Sequence, residues 1–152
     1  MKQLHVNAWD QEYPENTLSR AHPGDAGLDL CASETKRIVG LGVTLVPTGL
    51  KVIIPEGCFG MLTLRSGWAC EHEVVMPNAP GIIDSTYRGE IKVPIMPVIS
   101  PMGFTIKKGT RFAQLTIVPY ENVAVTFHTT QETWPEHKST ARGEDGFGSS
   151  GE

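Results

Sequence analysis

Asp84 stands in Gly81-Ile-Ile-Asp84-Ser-Thr-Tyr87-Arg-Gly-Glu90, where two apolar residues precede it and a tyrosine follows in a turn that leads into a strand. A carboxylate in such a place can orient a water molecule, and the Tyr87 ring offers a flat face for a sugar. The same residue types also serve plain structure, since a turn aspartate commonly caps backbone amides and a turn tyrosine commonly packs. Arg65-Ser66-Gly67-Trp68 is expected to end one strand and open a short helix. Helix-start amides, a hydroxyl and a guanidinium hold anions without a Walker-type loop, and they equally make an ordinary N-cap beside a surface arginine. Gln114 faces away from Ala113, Leu115 and Ile117 if its strand has period two, which by itself marks only a polar face. Near the C-terminus Phe147 lies between glycines, with Arg142 five residues before it. One reading is a solvated terminus. The other is an arm in which Phe147 stacks on a flat ligand while Arg142, Ser149, Ser150 and glycine amides such as that of Gly148 wrap phosphates.

The elements that must position these groups are strands. Sixteen glycines and eleven prolines interrupt the chain at short intervals and leave little room for helices of ten residues. The pattern predicts strands over 44–47, 50–54, 59–64, 90–98, 103–107, 112–118 and 123–127. Many short strands at close spacing imply an all-β jelly roll or barrel rather than a βαβ fold. Pro94 and Pro97 cannot donate ladder bonds, so 90–98 is expected to be bulged or at an edge. One short helix is expected over 67–75 with Ser66 as its N-cap. Residues 1–136 form the expected barrel domain. Residues 137–152 are polar and glycine-rich, and are expected to be a mobile arm when nothing is bound.

The 152 residues suit one domain, with 39% hydrophobic and 20% charged residues, ordinary values for a globular chain. A formal charge of −4 disfavours a grip on nucleic acid polymers but leaves room for one small anionic ligand. The three cysteines, Cys31, Cys58 and Cys70, are widely spaced and contain no CxxC, so neither a disulfide framework nor a zinc knuckle is indicated and a reducing compartment fits. No signal-peptide core and no membrane-spanning run is evident, and the expectation is a soluble, cytoplasmic protein.

Taken in order, these segments resemble the five motifs of the trimeric dUTPase family over most of the chain. Ala26-Gly-Leu-Asp29-Leu30 is similar to the first, Arg65-Ser-Gly-Trp-Ala69 to the second, Asn78-Ala-Pro-Gly81-Ile-Ile83-Asp84-Ser-Thr-Tyr87-Arg-Gly-Glu90 to the third, Arg111-Phe-Ala-Gln114-Leu115 to the fourth, and Arg142-Gly-Glu-Asp-Gly-Phe147-Gly-Ser-Ser-Gly151 to the fifth. The resemblance implies a jelly-roll-like fold, a homotrimer, and hydrolysis of dUTP to dUMP and pyrophosphate with Mg²⁺. It implies that Asp84 positions the attacking water and that Tyr87 packs beneath the deoxyribose. Asn78, Gly81 and Ile83 would belong to the hairpin that pairs with uracil. Arg65, Ser66, Gly67 and Gln114 would hold phosphates, Asp29 would reach waters on the metal, and the arm would close over a neighbouring subunit's site. Three positions depart from the pattern: Trp68 replaces a smaller aliphatic, Thr86 stands where many members carry a second acid, and Asp145 stands where a glycine is usual. A carboxylate at 145 would repel a triphosphate or need an unusual backbone angle. Two alternatives remain open, a dCTP deaminase on the same fold and a viral or phage-borne binding module whose main task is to contact another protein.

Overall fold

The computed structural model describes residues 2–8, 18–40, 42–98 and 103–130. The chain divides into two units, Met1–Glu121 and Asn122–Glu152. The first carries β1 (His5–Ala8), β2 (Leu18–Ser19), β3 (Leu28–Cys31), β4 (Lys36–Ile38), β5 (Thr44–Pro47) and β6 (Leu50–Ile53). These are followed by β7 (Cys58–Leu64), α1 (Ser66–His72), β8 (Val74–Val75), β9 (Gly81–Ile83), β10 (Lys92–Pro97), β11 (Phe104–Ile106) and β12 (Arg111–Pro119). All pairings are antiparallel: a five-stranded sheet in the order β2-β3-β12-β7-β9, a three-stranded sheet β5-β10-β8, and two ribbons, β1-β6 and β11-β4. The architecture is the expected all-β, jelly-roll-like one, with one short helix among the described residues. Among the described residues no helix is long and apolar enough to cross a membrane.

Alternation explains which side of each strand faces inward. Leu50 and Val52 on β6, and Val93, Ile95 and Pro97 on β10, are buried, while Lys51, Ile53 and Lys92 point out. On β12 the alternation breaks. The register with β3 shifts between Arg111 and Ala113, so Phe112 and Ala113 are both fully buried. Phe112 meets Trp68 edge to face at 5.7 Å, and Trp68 also packs against Phe104 and His72. Through Trp68 the core holds a helix of seven residues that its own backbone could not sustain.

Several expectations change. The helix begins at Ser66, with Arg65 as its N-cap and no side-chain cap, and it ends at Glu73 in the left-handed region at φ 51°. Ser66 is therefore the first helical residue, and Val74 and Val75 are drawn off as β8, which pairs with β10. β10 stands in the middle of its sheet, yet β5 covers only 92–95 on one side and β8 only 96–97 on the other. Every residue of β10 thus keeps one open side, which is how a strand tolerates two prolines. Residues 123–127 show strand periodicity in sequence but form no ladder, and 122–130 contain no helix or strand.

Phe112→Ala should lower stability by about 3–5 kcal/mol, because it removes a fully buried ring and the edge-to-face contact with Trp68. Chemical denaturation of the variant checks this, and a loss below about 1 kcal/mol would show that the core closes without Phe112.

Candidate active site

The five-stranded sheet sets the first group of functional side chains. β12 pairs with β3 and β7 together, so Gln114 stands opposite Asp29 on one side and Thr63 on the other. Asp29 is 6% exposed, and both of its oxygens are engaged: Oδ1 lies 3.1 Å from Arg65 Nε and Oδ2 lies 3.4 Å from Arg111 Nη1. Arg65 Nη1 also donates to the Arg111 carbonyl at 3.3 Å, and the Arg65 backbone N–H donates to the Phe112 carbonyl at 3.0 Å. Gly27 lies against Gln114, and a Cβ there would meet the Gln114 side-chain amide and turn it aside. Two guanidiniums around one carboxylate leave an excess positive charge, and the exposed first turn of α1 offers Ser66 and Gly67 beside it. The chemistry of this group is anion binding. Arg111 was legible only as a neighbour of Gln114; its contact with Asp29 spans 82 positions and depends on the β3–β12 pairing. Burial pushes the Cys31 thiol up from 9.0, against the opposing pull of Arg111, so Cys31 adds no thiolate nucleophile here.

The second group lies on the hairpin that follows α1. Leu62, Asn78, Gly81, Ile83, Asp84 and Tyr87 line a cleft of about 190 Å³. Gly81 pairs with Leu62 and is buried, as is Ile83, so the cleft has an apolar floor. The 84–87 turn is closed by its own backbone, with Tyr87 N–H donating to Asp84 O at 3.0 Å. Arg88 Nη1 donates to the carbonyls of Ser85 and Tyr87 at 2.6 and 2.8 Å. The Asp84 carboxylate is exposed and has no hydrogen-bond partner among the described residues, so it is not spent on capping this turn. Thr86 is exposed in the same turn.

The two groups are far apart within one chain. Ile83 pairs with Gly60, and Arg65 lies five residues further along the chain, just past the end of β7, so the backbones of Asp84 and Arg65 are separated by roughly 17–20 Å at about 3.4 Å per residue. Arg142, Phe147, Gly148, Ser149 and Asp145 lie outside the described residues. Among the described residues no three His, Cys, Asp or Glu side chains converge as a metal site. Asp29 is the only sequence-predicted metal contact. With an arginine on each oxygen it suits a water-mediated contact better than a direct bond, and each oxygen keeps a lone pair for one.

A small, apolar-floored cleft beside an unengaged carboxylate, with a separate cationic cluster on the same β scaffold, is an arrangement suited to a ligand that has a flat part and an anionic part. The dUTPase family profile matches residues 14–151. The chain is 44% identical over 131 residues to the deoxyuridine 5'-triphosphate nucleotidohydrolase of Clostridium kluyveri, covering 86% of this chain and 87% of that protein. It is 42% identical over 132 residues to that of Leifsonia xyli, covering 86% and 82%. A mutant dUTPase of Staphylococcus bacteriophage 80alpha, solved with dUpNHpp, superposes with a TM-score of 0.78 at 27% identity over 99% of both chains. A mutant dUTPase from phage phi11 of S. aureus, described for its coordination of a structural Mg(II) ion, gives 0.72 at 26% identity over 86% of this chain and 99% of that one. The chain therefore belongs to the dUTPase family.

Asp29→Asn should weaken the hold on both guanidiniums, and kcat/KM for dUTP should fall by about 10–100-fold, or roughly 1.4–2.7 kcal/mol. Pyrophosphate release measures it, and an unchanged kcat/KM would mean that the cluster is not presented to the phosphates.

Proposed function

We propose that the protein hydrolyses dUTP to dUMP and pyrophosphate by attack of water on the α-phosphorus, with Asp84 as the group that orients the water and accepts its proton. The observation that carries this reading is the Asp84 carboxylate, which lines the nucleoside-sized cleft and is left unengaged by its own turn. In the proposed reaction a water oxygen bonds to the α-phosphorus as the bond to the bridging oxygen breaks, and pyrophosphate departs. No covalent intermediate is needed. Asn78, Gly81 and Ile83 would meet the uracil edge, where groups matched to uracil would be left unpaired by cytosine. Tyr87 would crowd out a 2′-hydroxyl. Arg65, Ser66, Gly67 and Gln114 would hold phosphates, with Arg111 supporting Arg65 through Asp29. Mg²⁺ suits this donor set because it keeps most of its waters, and Asp29 would hold it through them; when bound it would supply charge neutralisation on the phosphates.

The Asp84–Arg65 separation also supports a site shared between subunits. Groups acting on one phosphorus must lie within one or two hydrogen-bond lengths of it, and a backbone span of roughly 17–20 Å along a stiff strand works against that within a single chain. We infer a homotrimeric ring in which each site draws on more than one chain. The outer face of the β5-β10-β8 sheet gives such an assembly apolar surface, with Leu45, Val75 and Val98 exposed beside Pro94 and Met96. The arm at 137–152 would close over a neighbouring site, where Phe147 stacks on uracil, Arg142 meets phosphate, and Gly148 and Ser149 add donors. A cytoplasmic location suits three unbridged cysteines.

Asp84→Asn should keep nucleotide affinity and lower turnover by about 10²–10⁴-fold. Mixing Asp84→Asn chains with Arg65→Ala chains should restore activity above that of either alone, because some sites then combine two intact halves; no recovery after subunit exchange would sink the shared site. Truncation after Thr140 should leave the melting temperature nearly unchanged and lower turnover at least about tenfold, or roughly 1.4 kcal/mol. Full-rate turnover by the truncated chain would make the arm a solvated tail.

A further inference from the structure

We propose that Glu90 is a positioning residue for sugar selection, fixing the Tyr87 ring through its main-chain carbonyl and anchoring that carbonyl to the core through its carboxylate. The proposal rests on the reading of Tyr87 as the wall that excludes a 2′-hydroxyl. Tyr87 is 45% exposed, so packing alone does not fix its ring. Two local features do. The Tyr87 hydroxyl donates to Glu90 O at 2.9 Å, and the ring lies so close over Gly89 that a Cβ there would collide with it.

Glu90 is itself tied down. Its Oε1 accepts the Gly49 N–H at 3.0 Å and its Oε2 lies 3.5 Å from Lys92 Nζ, leaving the side chain 19% exposed. Gly49 belongs to the β5–β6 turn, whose other residue, Thr48, is fully buried. The Thr48 hydroxyl donates to Ile91 O at 2.7 Å and accepts the Leu50 N–H at 3.3 Å. The Thr48 N–H donates to Ile91 O at 3.3 Å, and the Ile91 N–H to Leu50 O at 2.9 Å. A run of hydrogen bonds and peptide links therefore leads from a buried threonine, through Gly49 and Ile91 to Glu90, and on to the hydroxyl of an exposed ring. A wall that discriminates by crowding out one oxygen must not swing, and this run is what holds it.

The experiment compares kcat/KM for dUTP and UTP. Glu90→Ala should reduce the preference for dUTP by about tenfold, chiefly by improving kcat/KM for UTP. Glu90→Gln keeps an acceptor for Gly49 N–H and should hold the preference within about twofold, a rescue that a charge effect would not give. Tyr87→Phe, a surface change that removes only the hydroxyl's bond, should also lose preference, and it decides the matter if Glu90→Ala does not fold. Preference retained in Tyr87→Phe, or in a folded Glu90→Ala, overturns the proposal. Tyr87→Ala separates the two layers: if it still rejects UTP, the sugar-facing reading of Tyr87 fails, whereas if it accepts UTP while Glu90→Ala does not, Glu90 alone is wrong.

Discussion

The pairing of β7 with β12 on one side and β9 on the other is the constraint on which the candidate site depends. Its register carries Arg65 past one end of the strand and holds the hairpin of Asp84 toward the other. Because β-strand rise is nearly inextensible, the backbone span between the two is fixed. The same β12 that fixes β7 also pairs with β3, so one strand aligns Gln114 with Asp29 and thereby gathers the anion-binding group from three segments remote in sequence. Separation of the Asp84 cleft from the cationic cluster is thus built into the sheet.

The cationic cluster carries an electrostatic cost that its ligand would relieve. Asp29 is nearly buried, and burying a carboxylate is favourable only if it is paired and hydrogen-bonded. Arg65 and Arg111 supply both, but two cations on one anion leave surplus charge at a partly exposed position. A polyanion completes such an arrangement without reorganising it, since the guanidiniums are already oriented through Asp29 and through backbone bonds to Arg111 and Phe112. The cleft at Asp84 is of mixed character, with an apolar floor, Glu90 and Lys92 also in its lining, and no ion pair to the Asp84 carboxylate among the described residues, so its selectivity would rest on shape and hydrogen bonding.

What could be read from sequence follows from which interactions are local. The strand at 44–47 was legible to the residue because Thr44-Leu-Val-Pro47 is bounded by turn residues. The polar face at Gln114 was legible from alternation, whereas the burial of Phe112 beside Ala113 was not, because it comes from a register shift imposed by β3. β3 itself escaped notice, since Asp29 interrupts the apolar pattern of Leu28–Cys31 and its burial makes sense only with two arginines, one from β12 and one capping α1. The helix end was misplaced because it is set by a non-glycine residue, Glu73, at positive φ, where sequence signals would ask for glycine or asparagine. The order of the motifs carried the site further than any single residue could. Motif order, however, shows nothing of Arg111's contact with Asp29 or of Glu90's bonds to the β5–β6 turn.

Trp68 shows how a departure from a family pattern can be absorbed where the first turn of α1 is built. Its ring is only 9% exposed and meets Phe104, Phe112 and His72, while His72 stacks nearly parallel on Phe104 at 4.8 Å and 10°. Room for the large ring therefore comes from an aromatic cluster contributed by α1, β11 and β12 together. α1 has no acidic residue in its first turn and no side-chain cap, and its seven residues are too few for autonomous stability, so the anchor must come from packing. Ser66 and Gly67 precede Trp68 directly, and the backbone that would face a phosphate is thereby fixed to the same core that buries Phe112. A larger residue at this position adds contact area to the one element that has little cohesion of its own, which is a physical reason for the substitution to be tolerated next to an anion site.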